Sequence, residues 1–269
     1  MYLYNIPVML GFIWNNILIN PILNALAALY EFTGNLGIAL IFFTILMKLI
    51  TIPTTLPAMK MAKKQKEIQP ELNKIKEKYK YDKKKQAELQ MELFKKHGIN
   101  PASGCLTTII TLFLMIAVYR VVVMFTVNAD LGSLNSRIYF PALRFASLSE
   151  IRTSFTYLNL SKPDPFYIMP VLAALLQFLA TKMMVPAALK KALEKNVKQT
   201  PEKEDDMMMA MQQQNLYLMP LMFFMFGLTL PSGAMLYILV STLFQIVQSY
   251  YFNGWGGLEP WIKKLKTFA

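Results

Sequence analysis

Lys48 sits where an ionisable side chain is expensive. It falls about 12 residues into the apolar stretch 35–57, or ~18 Å along a helix, just past the centre of a ~30 Å hydrocarbon core. A lysine at that depth costs about 2.5–3.5 kcal/mol on insertion scales. No Asp or Glu occurs in the apolar stretches 35–57, 104–127, 166–185, 215–230 and 233–252. Water or a visiting anionic group is therefore expected to meet the charge. The plainer alternative is snorkelling to the cytoplasmic interface, a long reach from this depth.

Polar residues recur around Lys48 at helical spacing. Thr44, Lys48, Thr51 and Thr55 fall at i, i+4, i+7 and i+11, and Tyr237, Ser241, Gln245 and Gln248 fall at i, i+4, i+8 and i+11 in the last stretch. Thr107 with Thr111, and Gln177 with Thr181, are shorter versions. Singly, each stripe reads as hydrogen-bonding glue between helices, worth ~0.6 kcal/mol. Together they predict a wet groove open to the cytoplasm, lined by Lys48, Thr44, Thr51, Thr111, Gln177, Tyr237, Ser241, Gln245 and Gln248. Such a groove would capture and solvate polar groups; it would make no bonds. The chain has one His and one Cys, and its spans hold no Ser–His, paired-Asp or His–Glu set. No P-loop is present, and no catalytic residue, cofactor or metal is expected. Arg120 lies near the outer interface, where snorkelling accounts for it.

The elements that must position this groove follow from composition. Of 269 residues, 55% are hydrophobic and 16% charged, with a net charge of +12. An ordinary soluble domain has about 25% charged residues, and several apolar runs approach the ~20 residues that span a bilayer. Residues 58–98 hold 13 of the 28 basic residues, all lysine, against six acids. Because cytoplasmic loops concentrate Lys and Arg, this loop is assigned inside. Residues 1–33 hold no Lys or Arg, which suits export of the N-terminus without a cleaved signal. The chain thus reads as an all-α integral membrane protein with five transmembrane helices, N-terminus outside and C-terminus inside. Its expected order begins with an outer-face amphipathic segment at 1–33 and a first span at 34–57. A cytoplasmic lysine-rich helical hairpin follows at 58–98, a second span at 103–127 and an extracytoplasmic loop at 128–165. A third span at 166–186, a cytoplasmic loop at 187–214, spans at 215–230 and 233–252, and a short basic tail at 253–269 complete it.

Asn15, Asn16, Asn20 and Asn24 recur at helical spacing between Ile, Leu and Ala. With Pro21, they favour a helix lying in the outer interface over a sixth span. In the hairpin, Ile68, Leu72, Ile75 and Tyr79, and then Leu89, Leu93 and Phe94, form two apolar stripes that facing helices would bury. Pro70 either kinks the first helix or lies near its start, and Gly98 stops the second. Lys60, Lys63, Lys64, Lys66, Lys83, Lys84 and Lys85 then point outward. They can meet anionic lipid at ~1 kcal/mol each, ribosomal RNA or a nascent chain, or they can simply set topology.

An ordered set of motifs resembles the YidC/Oxa/Alb family of insertases. It runs from Gly34-Asn35-Leu36-Gly37 to Lys48 and Pro53, then Ile68-Gln69-Pro70 and Asn100-Pro101-Ala102-Ser103-Gly104-Cys105. Asp164-Pro165-Phe166-Tyr167-Ile168-Met169-Pro170 follows, then Met219-Pro220, Leu230-Pro231-Ser232-Gly233, Leu236-Tyr237, Val240-Ser241 and Gln248. The family's groove charge is usually arginine, which makes Lys48 a departure. Thr111-Leu112-Phe113 and Tyr237-Ile238 are others. The resemblance implies a bacterial inner-membrane protein, not an enzyme, that places newly made membrane proteins into the bilayer. It implies nascent membrane proteins as clients, with the ribosome, signal recognition components and the Sec translocon as further partners, and no DNA. An assembly scaffold and a small-anion transporter are the rival readings.

Overall fold

The computed structural model describes residues 11–79, 81–99, 102–127, 129–184 and 207–267. Helix dominates, because long runs of Leu, Ile, Met, Phe and Ala satisfy their backbone polar groups within each segment. A π-helical stretch Trp14–Ile19 leads into α1 (Asn20–Thr33), which Gly34 ends in the left-handed conformation, its N–H on the Tyr30 carbonyl. Asn35 then caps α2 (Leu36–Glu67), its Oδ1 accepting the Gly37 N–H at 2.9 Å. Next come α3 (Gln69–Lys78), α4 (Lys83–Lys96), α5 (Ala102–Phe125) and the short α6 (Leu131–Arg137). A two-stranded antiparallel ribbon, β1 (Ser154–Phe155) with β2 (Leu158–Asn159), precedes α7 (Ile168–Met184). The chain closes with α8 (Met207–Gly227), α9 (Ser232–Asn253) and α10 (Glu259–Lys266).

By length and composition, Gly11–Thr33, Leu36–Met61 and Ser232–Asn253 are long and apolar enough to cross a membrane. Ile110–Phe125, Ile168–Met184 and Leu216–Gly227 are shorter apolar helices. The chain is thus a helical membrane protein, and Gly11–Thr33, expected from its asparagines to lie in the interface, is by these measures also long and apolar enough to be a span.

The chain divides into two compact units. One comprises residues 1–50, 108–173 and 224–241. Its core includes Leu36, Leu40 and Phe43 of α2, Val118 and Val122 of α5, and Met235 of α9, all fully buried. The loop 129–167 is stitched to the helix starts in this unit. The Leu36 N–H donates to the Arg152 carbonyl, Asn35 Nδ2 to the Ser154 carbonyl, and Ser232 N and Oγ to the Lys162 carbonyl. Gly233 allows this approach: a Cβ there would lie 2.8 Å from Val122 Cγ1 and 3.1 Å from the Leu160 carbonyl oxygen. At Gly37 a Cβ would run into the Phe155 ring. Asp164, 2% exposed, accepts the backbone N–H of Phe166 at 3.0 Å and of Met169 at 2.7 Å, and caps the start of α7. Asp164→Ala leaves those donors unmet in a buried site, and should cost about 2 kcal/mol or more. Thermal unfolding in detergent checks this, with Asp164→Asn recovering part of the loss.

The second unit comprises residues 51–107, 174–223 and 242–269. Here α2 continues through Pro53 and Pro57 to Glu67, ten residues past position 57. Lys60, Lys63, Lys64 and Lys66 therefore lie on the end of α2, outside the facing pair α3 and α4. Pro70 occupies the first turn of α3, where its missing N–H costs nothing. Ile68, Leu72, Leu93, Phe94 and Ile99 form one buried cluster, with Met61 and Ile75 against it. Asp82 caps α4 by accepting the Lys85 N–H at 3.0 Å, and Gly98, with φ +63°, follows its end. Most of the predicted loop 187–214 lies outside the described residues, and α8 begins at Met207 within the uncharged run of Met, Ala and Gln.

Candidate functional site

Each unit carries its own polar set. In the first, Thr44 is fully buried and its Oγ1 donates to the Leu40 carbonyl at 2.6 Å. This hydroxyl is spent within its own helix. Lys48, one turn on, is half-buried. Tyr237 is buried and hydrogen-bonded to Ser241 within α9. Thr111 is exposed on α5, while the side chain of Thr107 lies outside the described residues. Lys48, Thr51 and Thr111 each carry further interactions of their own.

In the second unit, Thr51, Thr55, Gln177 and Gln245 are half-buried and Gln248 is buried. Gln248 Nε2 donates to Thr55 Oγ1 at 2.8 Å, which joins the α2 and α9 stripes directly. Gln177 Nε2 meets Thr181 Oγ1 at 3.4 Å, and Gln245 Nε2 lies 3.6 Å from Met184 Sδ. The Gln248–Thr55 bond is of the glue kind, so Gln248→Leu and Thr55→Val should each cost ~0.6 kcal/mol. Unfolding in detergent should show the double variant costing no more than either single one.

Around the hairpin, Lys60, Lys63, Lys64, Lys84, Lys85 and Pro70 are exposed. Lys64 Nζ also donates to the His97 carbonyl at 3.2 Å, tying the end of α2 to the end of α4. Lys66 and Lys83 lie in helices, but their side chains fall outside the described residues.

Three features escaped the reading from spacing alone. First, the asparagines of α1 are docking groups. Asn24, buried, donates to the Arg137 carbonyl at 2.9 Å and accepts the Tyr139 N–H at 2.7 Å. Arg137 reaches Asn15 Oδ1 at 3.1 Å and Asn20 Oδ1 at 3.2 Å. Second, Lys182 holds its ammonium over the Trp261 and Phe178 rings, clasping α10 to α7. Third, the α9 stripe continues into Ser249 and Asn253, whose buried polar side-chain atoms have no hydrogen-bond partner among the described residues. Their i+4 and i+8 spacing from Gln245 was the available signal.

Residues 28–256 match the family model described as 60Kd inner membrane protein. A Fusobacterium nucleatum protein named membrane protein insertase YidC is 33% identical over 82% of this chain and 87% of its own length. The membrane protein insertase MisCA of Bacillus subtilis is 30% identical over 93% of this chain and 81% of its own. A crystal structure of an active YidC insertase, with its first transmembrane domain resolved, has a similar fold. Its TM-score is 0.54 at 24% identity, over 92% of this chain and 47% of that one.

Proposed function

Because the chain belongs to the 60Kd inner membrane protein family, that of the YidC/Oxa/Alb insertases, we propose that it is itself an insertase, moving newly made membrane proteins from the cytoplasm into the bilayer. The observation that carries the mechanism is Lys48, half-buried on a polar stripe of a helix long enough to cross the membrane. Its charge attracts acidic residues in the polar flank of a client, and a low local dielectric strengthens that attraction. Water beside the stripes lowers the cost of bringing polar groups part-way across. The client's apolar segment then leaves for lipid, driven by the hydrophobic effect. No nucleotide is consumed.

In this reading α2, α5, α7, α8 and α9 supply five spans, with the lysine-rich end cytoplasmic, and α1 lies along the outer interface. Hydrogen bonds support that placement of α1. From Asn15, in the π-helical turn that leads into it, to Tyr30 the helix is tied to residues 137–152, a length of ~22 Å. A perpendicular α1 would carry that polar loop into hydrocarbon. The hairpin lysines contact clients, ribosome or anionic lipid first, and signal recognition components and the Sec translocon are further partners.

The test is photocross-linking from a reactive amino acid at position 48 during synthesis of a short, acidic-tailed membrane protein. Cross-links to the ribosome-bound chain support insertion. Cross-links only to finished, folded membrane proteins would instead indicate a scaffold.

A further inference from the structure

The loop between α5 and α7 has an unusual surface. Tyr139, Phe140, Tyr157, Phe166 and Tyr167 are all exposed, Phe140 at 64% and Phe166 at 67%. They are held outward by a fixed backbone. Asn135 clamps the Phe145 backbone through a donated bond at 2.8 Å and an accepted bond at 3.0 Å, turning Phe145 inward against Phe125 and Tyr30. Asp164 fixes the turn that carries Phe166 and Tyr167. A loop in water would gain by folding such rings inward; Tyr157 and Phe166 instead pack against each other at the surface, 5.7 Å between centroids, and exposed apolar surface of this kind marks a contact.

Backbone bonds set the level of the loop. Arg152 and Ser154 are bonded to the first residues of α2, and Leu160 and Lys162 to the first residues of α9, while Tyr167 immediately precedes α7. The loop therefore lies at the depth where helices enter the bilayer. Arg144, Arg152 and Lys162 are exposed on the same segment. Asp164 is buried, and the exposed Glu150, whose carboxylate accepts the Ala146 N–H, is outnumbered by these three cations, so the outward charge is positive on balance.

We propose that residues 138–167 form a lipid-embedded lid, with the five exposed aromatic rings in the headgroup region and Arg144, Arg152 and Lys162 on anionic phospholipid headgroups. Tyrosine at that level matches the aromatic belts of membrane proteins, and the cations supply complementarity to anionic lipid. The inference rests on α2, α7 and α9 being spans, and not on which side of the membrane the lid faces.

Spin labels test it in nanodiscs containing phosphatidylglycerol, in a Cys105→Ser background. Labels at Phe140→Cys and Phe166→Cys should collide with oxygen several-fold more than with a water-soluble nickel chelate. A label at Ser149→Cys, exposed on the same loop, should do the reverse. Where a label at 140 or 166 prevents folding, Tyr157→Cys replaces it. Arg144→Gln, Arg152→Gln and Lys162→Gln should each weaken association of spin-labelled phosphatidylglycerol by about fivefold. Labels at 140 and 166 that behave like the one at 149 would make this an aqueous loop. Dipolar broadening that vanishes on dilution with unlabelled protein would instead assign the surface to a second copy. A label at Phe42→Cys, opposite the Thr44–Lys48 stripe, separates the two levels. If it too meets the chelate, the span assignment fails and the lid with it.

Discussion

Lys48→Glu should abolish insertion of a single-span client with an acidic tail, Lys48→Ala should reduce it about tenfold, and Lys48→Arg should retain it. Two unit charges at 4 Å attract by about 4 kcal/mol at an effective dielectric of about 20. Lys48 is half-buried, so hydration leaves a fraction of that. A residual of ~1.4 kcal/mol is a tenfold effect, and charge reversal turns attraction into repulsion. The measurement is protease protection of the client's translocated tail in cells depleted of their own insertase. A client with a neutral tail is the control, and it should be nearly indifferent to all three variants. If Lys48→Ala and Lys48→Glu both insert the acidic client as well as the parent, charge attraction is not the mechanism.

Gly256→Ala should detach the C-terminal segment. Gly256 has φ +50°, and a Cβ there would fall onto the Met183 carbonyl oxygen, well inside contact. A side chain in that backbone conformation costs 1–3 kcal/mol, and forcing an atom into a packed site costs a similar amount. The sum, on the order of 3 kcal/mol, shifts a local equilibrium by about a hundredfold. Release of α10 separates Trp261 from Lys182 and Phe178, and Trp255 from its place beside Tyr250. Limited trypsin digestion at Lys263 and Lys264 should quicken accordingly, and tryptophan fluorescence should shift. Unfolding of the remaining helices should change little. A tail that stays as protease-resistant as the parent's would show that the Gly256–Met183 approach does not hold it.

Much of this organisation is legible along the chain, for local reasons. The apolar stripes of α3 and α4 meet in one cluster because residues three and four apart share a helix face. The Thr55 and Gln248 stripes meet in a hydrogen bond because each is the polar face of its helix. Other features depend on partners distant in sequence. Spacing marks the asparagines of α1 as a polar face, but it cannot say whether that face meets water or Arg137. The end of α2 is a further example: lysines mark residues 58–67 as leaving the hydrocarbon, while the helix continues because two prolines do not outweigh its remaining backbone bonds.

The sequence by itself determined what solvent distribution dictates: a helical membrane protein, the acid-free apolar stretches, Lys48 deep within the first of them, and a lysine-rich segment beyond it. These follow from the cost of each residue type in hydrocarbon, which is paid position by position. Only the tertiary structure decided the close approaches of Gly37, Gly233 and Gly256, the cap that Asp164 places on α7, and the rings left exposed on the loop. Those depend on backbone and side-chain atoms far apart in the chain arriving within contact distance, and hydropathy and periodicity carry no information about such meetings.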